Sequence, residues 1–230
     1  MPVPDPDSAR LGHSTLDSGR FERIGIPEAV YAEGKTTDQC VEIVEALLAV
    51  NDHPVVVTRA DTTTSSALAR LEPDGVWGST FTWRHRMPLG AAPVAIVSGG
   101  TSDQPVVDEC RGTLVAMGAE VIVRTDVGVA GLHRLLDVVP ALGDCLAIVA
   151  IAGMEASLPT VLAGLVAQPI IAVPTSAGYG SSLEGVTASL ALLASCAPGI
   201  GVVGIDNGYG AACSVLRILS AVSGPPRAMP

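Results

Sequence analysis

Along the second two-thirds of the chain, short unbroken apolar runs alternate with stretches whose apolar residues recur at helical spacing. The runs fall at 94–97, 120–124, 145–151, 170–173 and 201–205, and are rich in Val, Ile and Ala. Helical spacing fills 104–117, 131–138, the stretch after Gly153 through Leu165, part of 179–197, and 211–222. Runs with no polar alternation read as strands buried on both faces. Strand and helix in turn, joined by short connections, predict a three-layer αβα domain, a doubly wound parallel sheet of four or five strands. Ahead of it the pattern is shorter and more mixed. A helix is expected from a cap at Thr37 or Asp38 through Val50, with Cys40, Val41, Val44, Leu47 and Leu48 on one face. A short strand and turn within 21–35, a strand at 55–59, a helix at 61–71 and an edge strand at 77–83 complete a small α/β domain. The predicted division is a Pro-, Asp- and Ser-rich disordered tail over 1–19, the small α/β domain over 20–88, the larger domain over 89–222 and a tail over 223–230.

In an open parallel sheet, ligands bind at the carboxyl ends of the strands. There the chain carries Ser98-Gly99-Gly100, Asp126-Val127-Gly128, Ala152-Gly153-Met154-Glu155, Pro174-Thr175-Ser176 and Asp206-Asn207-Gly208, so small and acidic residues gather at one edge. The first of these turns continues as Thr101-Ser102-Asp103. Its glycines permit positive φ, and the Thr-Ser-Asp group can cap the following helix, whose first-turn amides favour an anion. No Lys, Arg or His occurs between Arg134 and Arg217. An anion held by that half must therefore rest on backbone amides and hydroxyls.

Composition narrows the partners. Apolar residues make up 48% of the chain but aromatic ones only 3%, so the core is aliphatic, as suits helices on a parallel sheet. A formal charge of −10 and a single lysine, Lys35, argue against a nucleic-acid partner. Pro, Gly or a charge interrupts every apolar run short of a membrane span, and no signal-peptide pattern opens the chain. Five cysteines, Cys40, Cys110, Cys145, Cys196 and Cys213, are odd in number and without CxxC spacing, which fits a reduced, cytoplasmic protein.

The run Ser98-Gly99-Gly100-Thr101-Ser102-Asp103-Gln104-Pro105-Val106 resembles the Gly-x-x-Ser-Asp loop of PurE-type aminoimidazole ribonucleotide (AIR) carboxylases and mutases, as does Ala152-Gly153-Met154-Glu155-Ala156-Ser157-Leu158-Pro159. Other segments are similar to a narrower family, LarB. They are Asp126-Val127-Gly128-Val129-Ala130-Gly131-Leu132-His133-Arg134, Val173-Pro174-Thr175-Ser176-Ala177-Gly178-Tyr179-Gly180, Ser195-Cys196-Ala197-Pro198-Gly199 and Ile205-Asp206-Asn207-Gly208-Tyr209-Gly210. Near the N-terminus, Gly25-Ile26-Pro27-Glu28 and Glu33-Gly34-Lys35-Thr36 resemble it too. Gly204, Ala156-Ser157 and Ala177 stand where the family pattern has Asn, Gly-Ala and Val; none of these exchanges removes an ionisable group.

The resemblance implies a PurE-like, flavodoxin-like domain acting on nicotinic acid adenine dinucleotide, with NAD as an analogue. Its pyridinium C5 would be carboxylated by CO2 or bicarbonate and its phosphoanhydride hydrolysed. The products would be pyridinium-3,5-biscarboxylic acid mononucleotide and AMP, the first step of nickel-pincer cofactor synthesis. It also implies a homo-oligomer, an octamer with shared sites, and no tightly bound cofactor; a phosphoanhydride substrate is compatible with Mg2+, and any metal ligands are unknown. The competing readings are a PurE-type AIR carboxylase or mutase and a non-catalytic nucleotide-binding protein.

A pyridinium ring is an electrophile, so its C5 needs activation before it can attack CO2. Thiolate addition at C4 makes C5 an enamine carbon. Cys196 is the candidate thiol; the other four cysteines fall on expected helices or strands and suit the core. Glu155 is either a first-turn carboxylate complementing a helix dipole or the base that takes the C5 proton. Asp103 either caps its helix, or contacts ribose or orients water. Asp206 and Asn207 form a turn pair or a ribose or metal contact, and His133 is a helix-surface residue or part of a substrate-binding His-Arg segment. Lys35, Arg59 and Arg84 are solvated cations or phosphate contacts from the N-terminal domain. Substrate binding is further expected of Ser98, Gly99, Gly100, Thr101, Ser102, Asp126, Gly128, Gly153, Met154, Pro174, Thr175, Ser176 and Gly208.

Overall fold

A computed structural model describes residues 8–223. Of the tail expected to be disordered, 1–7 lie outside the described residues, but the rest is corrected. β1 (Ser8–Arg10) and β2 (Thr15–Asp17) form an antiparallel pair. Leu16 is buried in the core of the N-terminal unit, and the Asp17 amide donates to the Glu28 carboxylate, which is what orders this segment despite its composition. At the other end, the expected tail over 223–230 lies outside the described residues except for Ser223.

The N-terminal unit continues with α1 (Arg20–Ile24), β3 (Ala29–Tyr31), α2 (Thr37–Val50), β4 (Val55–Thr58), α3 (Thr62–Leu68), β5 (Gly75–Trp77) and β6 (Thr80–Trp83). The cap of α2 is Thr36, one residue ahead of those expected, because its hydroxyl accepts from the Gln39 amide while Gln39 Oε1 accepts from the Thr36 amide, completing a capping box. The stretch read as one edge strand at 77–83 is instead a hairpin of β5 and β6, turning at Gly78-Ser79. The sheet order is β3-β4-β6-β5, parallel between β3 and β4 and antiparallel elsewhere, so β6 is internal and β5 is the edge. Cys40, Ile43, Val44 and Leu47 of α2 pack with Val30, Val55, Val57, Phe81 and Trp83 into one apolar cluster.

After an irregular connection over 84–93 come β7 (Val94–Ser98), α4 (Gln104–Ala116), β8 (Val121–Arg124), α5 (Leu132–Leu142), β9 (Ala147–Ala152), α6 (Ser157–Ala163), β10 (Ile170–Pro174), α7 (Val186–Leu193), β11 (Ile200–Val202) and α8 (Gly208–Ser223). The five strands are all parallel, in the order β11-β10-β9-β7-β8, which is the doubly wound arrangement expected. Every residue of β7 and β9 is buried. Alternate residues feed opposite cores. Val94, Ile96, Val149 and Ile151 meet Val107, Cys110 and Leu114 of α4 and Val215 and Leu219 of α8. Ala95, Val97, Ile148 and Ala150 meet Leu135 of α5, Leu158 and Leu162 of α6, and Ala188 and Leu192 of α7.

Helix α4 is buried on two sides, since β4, β5 and β6 pack against it as well as β7 and α8. The connection over 84–93 is pinned to its far end, with the Arg86 amide donating to Ala116 O and the Leu89 amide to Gly118 O. Where α8 crosses α4, a Cβ at Gly208 would stand 2.5 Å from Val106 O and 3.0 Å from the Cys110 amide nitrogen. Gly208→Ala is therefore expected to destabilise the fold by about 1–3 kcal/mol despite alanine's better helix propensity, because backbone cannot yield as a side chain can. Chemical denaturation of the variant checks this, with a lower midpoint at unchanged slope as the expected result.

Candidate active site

The loops after the five strands are hydrogen-bonded to one another in the order of the strands. The Gly128 amide donates to Gly99 O, the Gly99 amide to Ile151 O, the Thr175 amide to Ala152 O and the Asp206 amide to Pro174 O. A Cβ at Gly153 would lie 2.0 Å from Ala177 O, so only glycine lets the β9 and β10 loops meet, and the Met154 amide donates to that same oxygen at 2.9 Å. Positive φ occurs at this edge in residues that carry a Cβ: Asp126, Met154, Ala156 and Asp206. Gly99 and Gly100, from which it was expected, do not use it.

Asp103 ties this edge together. The expectation that it caps α4 is corrected: the turn Thr101–Asp103 is 3-10 helical and runs directly into α4, without a side-chain cap from Asp103. Its carboxylate turns back instead. Oδ2 accepts from the Gly100 amide at 2.9 Å and Oδ1 from the Thr175 hydroxyl at 2.7 Å, joining the β7 loop to the β10 loop. Asp103 and Thr175 are both buried, and burial raises the Asp103 carboxyl above its ordinary value although both hydrogen bonds pull it down.

Beside it lies a pocket of about 290 Å³, lined by Gly99, Gly100, Ser102, Asp103, Gly128, Val129, Ala130, Ala152, Gly153, Met154, Glu155, Ser157, Leu158, Ala177 and Gly178. Glu155 accepts from the Ser157 hydroxyl at 2.7 Å, and that bond holds its carboxyl below the usual value. A second cavity, of about 300 Å³, adjoins the first through Ser102 and Ala177 and is lined also by Arg59, Ser79, Pro105, Val106, Glu109, Thr175, Ser176 and Asp206. Arg59, in the left-handed region just after β4, reaches over from the N-terminal unit. Its Nε donates to the Glu109 carboxylate at 3.2 Å and its guanidinium to Asp206 O, while Glu33 stands 3.7 Å away. A further cavity of about 410 Å³ sits at the opposite edge, where the 84–93 connection passes the amino ends of β7 and β8.

Other residues singled out from the sequence sit elsewhere. Ser98 is wholly buried at the end of β7, and its hydroxyl has no partner among the described residues. Thr101 is exposed and Pro174 buried, and neither lines either cavity. Asp126 pairs with Arg134 at 2.6 Å on the flank, and His133 is exposed on α5. Asn207 Oδ1 accepts from the Gly210 amide at 2.6 Å at the start of α8, a structural turn. Lys35 is exposed and donates to Tyr31 O at 2.7 Å. Arg84 lines neither cavity: it donates to Leu48 O and Asn51 O at the carboxyl end of α2.

Cys196 is the main displacement. It is exposed and is not among the residues lining either cavity. It follows α7 and precedes β11, so it belongs to the connection that enters the sheet at the amino end of β11, whereas the cavities open at the carboxyl ends. The Ser195 hydroxyl, 2.9 Å from that of Thr160, anchors this connection to α6. Cys40, Cys110 and Cys145 are core residues, and Cys213 is half-buried. Sequence reasoning missed Glu109, whose carboxylate on the buried face of α4 was the available signal, and Ser79, which had none. Among the described residues no group of three or more His, Cys, Asp or Glu is placed to hold a metal ion, and no helix is long and apolar enough to cross a membrane.

Fold and site together define an α/β enzyme of the AIR carboxylase type with an additional N-terminal domain. Residues 93–225 match the AIR carboxylase family, and residues 8–81 match the LarB/PurE-like N-terminal domain. The chain belongs to the LarB family, and its activity is of the carboxylase type, related to AIR carboxylase. It is 37% identical over 210 residues to an uncharacterized protein of Methanocaldococcus jannaschii, covering 85% of this chain and 80% of that one. It is also 36% identical over 132 residues to the N5-carboxyaminoimidazole ribonucleotide mutase of the same organism, covering 55% of this chain and 78% of the mutase.

Removing the Asp103 carboxylate strands a half-buried amide and a buried hydroxyl. Asp103→Ala is expected to cost about 2 kcal/mol or more. Because the folded chain holds the Asp103 proton to higher pH than the unfolded chain does, this group's contribution to stability falls as pH rises from the unfolded value through the raised folded one. Denaturation midpoints of wild type and Asp103→Ala across that window measure both effects. A difference independent of pH would remove the assignment of the raised carboxyl to Asp103.

Proposed function

We propose that this protein carboxylates the pyridinium ring of nicotinic acid adenine dinucleotide at C5 with CO2 or bicarbonate and hydrolyses the phosphoanhydride, releasing pyridinium-3,5-biscarboxylic acid mononucleotide and AMP for nickel-pincer cofactor synthesis. The observation that carries this reading is the joining of a LarB/PurE-like N-terminal domain to an AIR carboxylase domain, with Arg59 of the first reaching a cavity of the second. A purine-pathway carboxylase acts on a ring that is already an enamine and needs no thiol. A pyridinium does need one, and the exposed Cys196 supplies it.

In this reading the Cys196 thiolate adds to C4, giving a 1,4-dihydropyridine whose C5 attacks the carbon of CO2. The ionised Glu155 takes the C5 proton, and the electron pair of that bond restores aromaticity as the thiolate leaves C4. Asp103 keeps the β7 and β10 loops in register, and the Ser102 turn with its backbone amides faces the phosphates.

Because Cys196 lies away from the pocket of its own chain, the reading requires a second copy to present it. The outer side of α7 supports such an assembly. Leu183, Val186, Leu190 and Leu193 are exposed on or beside a helix that also buries Ala188 and Leu192, and a helix apolar on both sides is suited to burial on both. The family resemblance puts the assembly at an octamer.

Incubation with nicotinic acid adenine dinucleotide and labelled bicarbonate is expected to label the pyridine product and release AMP. Cys196→Ser should keep the fold and the oligomer, because serine is nearly isosteric, and lose carboxylation. NAD should give a near-ultraviolet dihydropyridine band with the wild type but not with the serine variant. Carboxylation by Cys196→Ser at the wild-type rate would remove the covalent step, and labelling of AIR in place of the pyridine would replace the substrate.

A further inference from the structure

The second cavity contains an acceptor that the protein leaves open. Asp206 has positive φ, its carbonyl accepts from Arg59, and its Oδ1 accepts from the Ser176 amide at 2.8 Å. The side chain is thus held in one orientation, while Oδ2 has no hydrogen-bond partner among the described residues. Pro105 and Val106 give the same cavity an apolar wall. Its one cation is neutralised, since Arg59 faces both Glu109 and Glu33. A phosphate would meet net negative charge here, whereas an uncharged nucleoside would meet an apolar face for its base and a fixed carboxylate for a ribose diol.

The origin of the walls points the same way. Arg59 and Ser79 fall within residues 8–81, the LarB/PurE-like N-terminal match, whereas the AIR carboxylase match begins at residue 93. The cavity therefore exists only where the two domains are joined, and it opens beside the pocket the AIR carboxylase domain forms by itself. We propose that this second cavity seats the nucleoside of the substrate's non-reacting half, the adenosine of the departing AMP, with Asp206 accepting from its ribose diol and the reacting ring in the first pocket. The assignment rests on the dinucleotide reading above. It makes the N-terminal domain the part that converts a mononucleotide site into a dinucleotide site.

Calorimetric titration of the full chain with AMP, 2′-deoxy-AMP and nicotinic acid mononucleotide tests it. The wild type should bind AMP about tenfold more tightly than 2′-deoxy-AMP, the loss expected for one hydrogen bond to a charged acceptor. In Asp206→Asn, which tolerates the same backbone conformation, that difference should vanish. In Ser79→Trp, whose ring would fill the cavity from the β5–β6 turn, AMP binding should be lost while nicotinic acid mononucleotide still binds within a factor of about two. Unchanged thermal melting of both variants excludes misfolding as the cause; Asp206→Asn stands as the test should Ser79→Trp not fold. The proposal is overturned if AMP does not bind, if AMP and 2′-deoxy-AMP bind the wild type equally, if AMP and the mononucleotide compete for one seat, or if folded Ser79→Trp binds AMP as the wild type does. Loss of bicarbonate labelling with the AMP pattern intact would remove the carboxylation reading and leave this seat standing; labelling without the AMP pattern would do the reverse.

Discussion

Helix α4 is packed on both sides, and most of the molecule depends on that. One side closes the core over β7 and β9 together with α8, and the other receives β4, β5 and β6 of the N-terminal sheet. In its second half a Cβ on Gly112 would sit 2.9 Å from the Trp77 ring, which measures how closely the two units approach. The loop bearing Gly99, Gly100, Ser102 and Asp103 leads directly into this helix, so a helix that cannot shift gives its loop a fixed position. The N-terminal unit thereby acts on the site twice: it holds α4 from outside, and it sends Arg59 over the helix to Glu109.

The electrostatics at the sheet edge follow from a shortage of cations. With no Lys, Arg or His between Arg134 and Arg217, the loops are held by backbone amides, hydroxyls and carboxylates. Asp103 and Asp206 each accept from an amide of a loop, and Asp103 also accepts from Thr175. Strained backbone appears at the same places, with positive φ at Met154, Ala156 and Asp206. Such conformations persist where surrounding bonds over-determine them, and here the inter-loop hydrogen bonds do so. The edge is accordingly pre-formed: its donors and acceptors are placed before any ligand arrives.

In the proposed function, the position of Cys196 sets the reaction apart from the binding of the nucleotide. A cavity complete within one chain is enough to hold a substrate, and Glu155 and Asp103 already line it. The thiol that the proposed chemistry calls for stands on a connection at the other end of β11. In the proposed function, assembly is therefore part of catalysis, and the apolar outer side of α7, immediately ahead of Cys196, is where the chain has surface to bury.

The parallel sheet was legible in the sequence because strands buried on both faces must be apolar throughout; the runs beginning at Val94 and Ile170 start within the chain where the strands do. The carboxyl-edge motifs were legible for a related reason, since topology alone puts every strand end at one edge. Family motifs added the reaction class. Three things were decided only by tertiary structure. Leu16 orders a segment of disorder-like composition by entering a core formed by distant residues. Asp103 turned from cap to bridge because Thr175, 72 residues away in sequence, offers a buried hydroxyl that a local pattern cannot reveal. The third is which motif residues share a cavity: Cys196 and Glu155 belong to equally distinctive segments, but a parallel strand takes the residues before it to one edge and those after it to the other. Periodicity along a chain records which faces are buried, whereas a site is a meeting of residues remote in sequence, and only the packed fold determines which of them meet.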